Sequence, residues 1–192
     1  MRKLLFALIA GVAAMATMPG AGNAAPVTTN PGSLTANGNV SAVFAFVDAG
    51  DESELLEVGV GGVIFNNQTD AVGTTRDLGP HSGLIQFVLN NLSQGYSFVN
   101  DVADDGIYYA MYGTSAADFG VTFSPTVEAA IAALTGSVIL VGFEDRRGGD
   151  YDYNDLIFAV SSVGQTSVPE PLSVALLGMG LLGIGAIRRR KA

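Results

Sequence analysis

Two apolar segments, one near each end of the chain, confine folding to the residues between them. The run from Leu4 to Ala16 follows a short basic start; it is long enough for the core of a signal peptide and short for a membrane span. Small residues at positions 22–24 suit signal peptidase, so we predict cleavage between Ala24 and Ala25. Residues 1–24 are therefore predicted to be a signal peptide; the alternative is an uncleaved anchor, which the short core disfavours.

The second apolar segment, residues 172–187, carries no charge and is followed by the basic residues 188–192. As a helix, its sixteen residues would span about 24 Å, against a hydrocarbon core of about 30 Å. We predict a marginal transmembrane helix over 172–187 with a cytoplasmic tail over 188–192, which places the preceding domain outside the cytoplasm.

The C-terminal pattern resembles a known sorting signal. Pro169, Glu170 and Pro171 precede the apolar segment and the arginine cluster in the order found in the PEP-CTERM sorting motif. The resemblance implies that these three residues are recognised by an exosortase, a membrane transpeptidase that removes the tail. It also implies an exported protein, transiently anchored in the inner membrane and then at the cell surface or extracellular, in bacteria that make exopolysaccharide. An ordinary C-terminal membrane helix is the alternative.

The region between the two ends is strongly acidic. All 18 acidic residues lie between Asp48 and Glu170, whereas three of the nine basic residues, Arg76, Arg146 and Arg147, lie there. Such a charge balance repels phosphate backbones and makes nucleic-acid binding improbable. The absence of cysteine excludes thiolate metal sites, and one histidine, His81, excludes a multi-histidine site within one chain.

Short β-prone runs with turn-forming residues between them dominate the middle of the chain. We predict a linker over 25–39, a domain over 40–163 and a linker over 164–171 that contains the Pro-Glu-Pro triplet. The runs and their spacing predict an all-β fold, an antiparallel and jelly-roll-like β-sandwich with one short helix near Thr126–Leu134. The signal peptide and the C-terminal transmembrane sorting helix flank this domain.

An acidic segment joins the two strongest predicted strands, 137–143 and 156–163. Its acids and amide lie close together, with Asp150, Asp152 and Asn154 spaced two residues apart after a Gly-Gly bend. Oxygen ligands without His or Cys favour a hard cation, calcium first. The spacing does not fit an EF-hand, which would need glycine at Asp155 and glutamate at Ser161. The predicted ligands are Asp145, Asp150, Asp152, Asn154 and Asp155.

A solvated hairpin is the alternative interpretation of the acidic segment. Arg146 and Arg147 can pair with some of its acids, and Asp or Asn side chains can bond to the turn's own backbone.

The same segment resembles a domain family of unknown function found in bacterial extracellular proteins. The matching residues are the Gly-Phe-Glu-Asp stretch at 142–145, the glycines at 148–149 and the Asp-Tyr-Asp-Tyr-Asn-Asp run at 150–155. A looser likeness extends back to about Leu78. The resemblance implies a β-sandwich and a secreted setting, and no established activity.

These observations predict an exported, non-enzymatic surface or matrix module that binds calcium. The sorting-tail resemblance adds exopolysaccharide, biofilm components or matrix proteins as expected partners. The rival prediction is a secreted polysaccharide-acting enzyme that uses two carboxylates, and a third possibility is a purely structural domain without a ligand.

Overall fold

The structure, a computed structural model, describes residues 25–166 and consists mostly of antiparallel strands. The predicted signal peptide and the predicted sorting helix lie outside the described residues. The strands and helices are β1 (Ser33–Val47), β2 (Ser53–Glu57), β3 (Val63–Asn66), β4 (Thr75–Ile85), β5 (Phe87–Asn91), β6 (Tyr96–Val99), β7 (Ala110–Gly113), a 3₁₀ helix (Ala116–Phe119), α1 (Pro125–Ala132), β8 (Val138–Phe143), β9 (Leu156–Ser161) and β10 (Val163–Thr166).

The strands form two sheets. The larger has six strands in the order β10-β1-β9-β8-β7, with β4 paired to β1; the smaller has four in the order β3-β2-β5-β6. The long strand β1 organises the larger sheet, because β10 pairs with its first residues, β9 with its last and β4 along most of its length. All of these pairings are antiparallel, as the sequence predicted.

Aromatic side chains join the two sheets across a common core. Phe44 of the larger sheet stacks on Phe65 of the smaller, with ring centroids 5.3 Å apart. Phe87 meets the edge of Phe158 at 4.9 Å, and all four rings are buried. Such aromatic pairs add to the free energy gained by burying apolar area.

The larger sheet is covered on both faces, which explains why β8 and β9 are apolar without alternation. Val141 and Phe158 face the smaller sheet, whereas Leu140, Ile157 and Ala159 pack in a second cluster with the helical segment. A strand buried on both faces has no position for a polar side chain. Ser124 caps α1 by accepting a hydrogen bond from the Val127 amide, and Pro125 occupies the first helical turn.

Some residues predicted to be linker or turn belong to strands. Ser33–Asn39 opens β1, and residues 164–166 lie in β10. The turn-rich stretch 66–81 contains most of β4, which accepts Gly79 and Pro80 because it lies at the sheet edge. The apolar residues of 55–65 form a hairpin, β2 and β3, that turns at the glycine-rich residues 58–62. Composition did not predict these strands, because strands at a sheet edge tolerate turn-forming residues.

The two ends of the strand stack are formed by different sets of loops. The acidic end comprises the loops 48–52, 92–95 and 144–155, which meet where β1 reaches Val47. The exit end comprises the loops 58–62 and 100–103, the segment 84–86 in which the last two residues of β4 lead into Gln86, and Thr166. Neither helix within residues 25–166 has both the length and the apolar character that a membrane crossing requires.

Gly142, the fifth of the six residues of β8, lies where the core is closely packed. A Cβ added there would overlap the Tyr153 carbonyl oxygen and the Phe119 ring. We therefore expect Gly142→Ala to lower the free energy of unfolding by about 2 kcal/mol or more, since overpacking a rigid core is costly. The measurement is chemical denaturation followed by circular dichroism.

Gly164→Ala is the matched control for Gly142→Ala. Its added Cβ would meet only the Thr35 hydroxyl at 3.8 Å, and we expect a change within about 0.5 kcal/mol. Equal stabilities for the two variants would contradict the packing described around β8.

Candidate metal centre

The acidic segment between β8 and β9 folds over the acidic end and brings three carboxylates together. Oxygen atoms of Glu144, Asp150 and Asp152 all lie within 4.8 Å of one another. Glu144 directly follows β8, whereas Asp150 and Asp152 lie in the returning part of the loop. Three like charges at this separation repel one another strongly unless a proton or a cation intervenes.

Glu144 is the most unusual member of this cluster. Its side chain is 0% exposed, and neither carboxylate oxygen has a hydrogen-bond partner within residues 25–166. Buried carboxylates in native proteins are normally paired or bound to a cation, because the desolvation cost is otherwise uncompensated. Two oxygens without partners therefore face two further carboxylates, which is a donor set for a cation.

Burial, together with the charges of Asp155, Asp150 and Asp152, raises the pKa of Glu144 to about 8. Burial likewise raises the pKa of Asp152, with Asp150 and Asp48 adding to the effect. Without a cation, Glu144 therefore holds a proton at neutral pH. A divalent cation would replace that proton and supply the missing partner.

The loop backbone adopts a strained path that aims these side chains. Tyr151 and Tyr153 have φ values of 57° and 59°, in the left-handed region that non-glycine residues rarely occupy. They alternate with Asp150, Asp152 and Asn154, so the backbone curls rather than extends. Such strain persists only where surrounding contacts over-determine it.

Tyr153 supplies much of that surrounding support. Its ring is buried, its hydroxyl donates to the Tyr108 carbonyl at 2.9 Å, and the hydroxyl oxygen accepts from the Val27 amide at 2.8 Å. One loop side chain thus fixes the loop to the N-terminal segment and to the strand region before β7.

Glycines make room for the Glu144 carboxylate. A Cβ on Gly149 would overlap the Glu144 carboxyl group, so this position accepts no side chain while Glu144 keeps its place. Gly148 has a φ of 69°, which lets the chain turn before it passes that carboxylate.

Asp145 and Asp155, both predicted ligands, form a neighbouring pair rather than part of the three-carboxylate cluster. The Asp155 carboxylate accepts from the Asp145 amide at 2.9 Å, and Arg146 lies 3.4 Å from the Asp145 carboxylate. Asn91 donates to the Asp145 carbonyl oxygen at 2.9 Å, which joins the pair to the smaller sheet. Burial raises the pKa of Asp155 to about 7 and also raises the pKa of Asp145.

Asn154, the remaining predicted ligand, holds the Asp152 carboxylate in position by two hydrogen bonds. Its side-chain amide donates to Asp152 at 2.7 Å, and its backbone amide donates to the same carboxylate at 3.3 Å. These bonds orient Asp152 toward Glu144 and Asp150.

Of the predicted ligands, the structure therefore brings Asp150 and Asp152 together and adds Glu144, which the sequence-based ligand set omitted. The omission is understandable, since Glu144 stands apart from the regular Asp-x-Asp-x-Asn spacing. The Gly-Gly pair after it was the available signal, because glycine often marks the close approach of another group.

The buried acids predict a pH-dependent stability in the absence of metal. The pKa of Glu144 is raised in the folded state, so folded protein retains a proton that the unfolded chain loses near pH 4.5. Stability from this group is therefore present at low pH and is lost as the pH rises from about 4.5 to about 8. The expected slope is about 1.4 kcal/mol per pH unit for each extra proton held.

Glu144→Gln should remove that part of the slope, because glutamine has no proton to lose. The measurement is the unfolding free energy from pH 4.5 to 8 in the presence of a chelator. Glu128→Gln, on an exposed helical position, is the control and should leave the slope unchanged. Parallel pH profiles for Glu144→Gln and the wild type would contradict the burial of an ionisable Glu144.

Comparison with family models agrees with both resemblances seen in the sequence. A domain of unknown function, DUF4114, matches residues 82–163, which include β8, the acidic loop and β9. No curated protein matches the chain.

The PEP-CTERM protein-sorting motif matches residues 167–191. That motif implies an exported protein that is recognised by an exosortase and is transiently anchored in the membrane before processing. The chain thus carries a DUF4114 domain followed by a PEP-CTERM sorting motif.

Proposed function

We propose that this protein is a non-enzymatic surface or matrix module, a jelly-roll-like β-sandwich whose acidic loop binds calcium after export. The observation that supports calcium most directly is the buried Glu144 carboxylate, which lacks hydrogen-bond partners within the described part of the chain and lies beside Asp150 and Asp152. The donor set contains oxygen alone, which suits calcium better than zinc or copper.

Three carboxylates provide the core of such a site. Calcium takes six to eight oxygens, so the carboxylates of Glu144, Asp150 and Asp152 would be joined by water and main-chain carbonyl oxygens. Asn154 would hold Asp152 in place, and Asp145 with Asp155 would stiffen the base of the loop. Arg146 already serves the second pair, so it does not compete for the three-carboxylate cluster.

Calcium would hold the acidic loop to the rest of the domain, which has no cysteine and therefore no disulfide to do so. The loop lies against β1, β8, β9 and the N-terminal segment, so ordering it would stabilise most of the sandwich. The free energy of a cation bound to the folded state adds directly to the free energy of unfolding. The exopolysaccharide or matrix partner is proposed because the PEP-CTERM motif is typical of bacteria that make exopolysaccharide.

Thermal unfolding tests the calcium site. At calcium concentrations about 100 times the dissociation constant, we expect about 2.7 kcal/mol of added stability, or roughly 5–10 °C in the midpoint. The double substitution Asp150→Asn/Asp152→Asn should abolish the shift, because it removes two of the three charges that bind the cation.

The matched control, Asp105→Asn/Glu128→Gln, removes the same charge from two exposed positions outside the cluster. It should retain the calcium shift. A wild-type midpoint that is the same in chelator and in millimolar calcium would reject the calcium site and favour the solvated hairpin.

Polymer assays separate the proposed binding module from the rival polysaccharide-acting enzyme. Glu144 is fully enclosed, so it cannot reach a glycosidic bond in this conformation, which supports the binding module. We expect purified protein to sediment with exopolysaccharide in calcium and to release no new reducing ends over hours. Release of reducing ends that is lost in Glu144→Gln would instead establish the enzyme.

A further inference from the structure

The exit end presents apolar side chains on three adjoining segments. The Val58 amide donates to the Gln86 carbonyl at 2.9 Å, and the Gln86 side chain donates to Asp101, which joins segments 58–62, 84–86 and 100–103. Four large apolar side chains on these segments face solvent: Val58 is 43% exposed, Val60 66%, Leu84 60% and Val102 51%. Exposed apolar groups collected in one region typically mark an interaction surface.

The chain leaves the domain at the same end. Gln165 pairs with Leu34, and Leu34 pairs with Ile85 on its other side, so the outgoing strand lies about 10 Å from segment 84–86. Five residues, 167–171, separate Thr166 from the apolar segment that begins at residue 172. Their fully extended reach is roughly 17 Å. A membrane-anchored tail therefore holds the exit end close to the bilayer.

Charged residues are distributed unevenly between the exit end and the acidic end. The three exit-end segments contain one charged residue, Asp101, which is hydrogen-bonded to Gln86, and they are flanked by Glu57, Asp104 and Asp105. The acidic end holds Glu144, Asp150 and Asp152 and lies at the other end of the five-residue strands β2 and β5, about 17 Å away. An anionic lipid surface repels the acidic end more than the exit end.

We propose that the exit end docks on the lipid bilayer through Val58, Val60, Leu84 and Val102 while the sorting tail anchors the chain. The four side chains bind weakly by themselves, but the tether keeps them at a high effective concentration next to the membrane. The acidic end then faces away from the membrane. This proposal depends on the sorting motif and not on calcium binding.

Fluorescence quenching by brominated lipids tests the docking. The chain contains no cysteine, so a single cysteine at Val60 or at Leu92 can carry an environment-sensitive label without further changes. Leu92 is the matched control, since it is 50% exposed but lies at the acidic end. Each labelled protein, with its C-terminal tail, is reconstituted into phosphatidylcholine vesicles, and flotation with the vesicles shows that it is anchored.

We expect lipid quenching at position 60 to exceed that at position 92 by about twofold or more, because docked side chains lie roughly 5–10 Å into the headgroup region. The difference should be the same in chelator and in calcium. Val58→Ser/Leu84→Ser, combined with the label at position 60, should reduce quenching toward the value at position 92 without lowering the unfolding midpoint.

Equal quenching at positions 60 and 92 would overturn the proposal, as would failure of the tailed protein to float. Protection of position 60 in native membranes, but not in pure lipid vesicles, would also overturn it and assign the surface to a membrane protein such as the exosortase.

Discussion

The carboxylate of Glu144, buried beside Asp150 and Asp152, is the constraint on which the rest of the acidic loop depends. A side chain in that position needs a proton or a cation, because it is fully buried and no hydrogen-bond donor within residues 25–166 relieves its desolvation. It also needs Gly149 beside it, since any larger residue would occupy the same space. The raised pKa of Glu144 describes the same requirement in terms of protons.

The strained tyrosines show how the fold supports this arrangement. Tyr151 and Tyr153 occupy left-handed backbone conformations that cost free energy, and buried contacts offset that cost. Tyr153 reaches Val27 and Tyr108, so the loop, the N-terminal segment and the edge of the larger sheet share one set of hydrogen bonds. A change in the loop's order would be transmitted to the start of the domain by direct contact.

The two ends of the sandwich carry different kinds of side chain. Carboxylates collect at the end formed by the 144–155 loop, whereas the end that leads to the sorting motif presents valine and leucine on loops with little charge. Strands β2 and β5 run from the loops of one end to the loops of the other, so they set the separation of the two surfaces. The sorting motif follows one end in the sequence, and the three-carboxylate cluster lies at the other.

The sequence by itself determined the features that depend on local composition and order. Turn signals and apolar runs gave the antiparallel β fold and the single α-helix, and the Pro-Glu-Pro triplet with its apolar and basic neighbours gave the sorting motif. The acidic hairpin was visible because its residues are adjacent in the chain. Tertiary structure alone decided that Ser33–Asn39 and Thr75–His81 become strands, since pairing along β1 overrides their turn-forming composition. It also decided that Glu144, and not Asp145 or Asp155, joins Asp150 and Asp152, because burial and the approach of distant chain segments are not encoded in spacing.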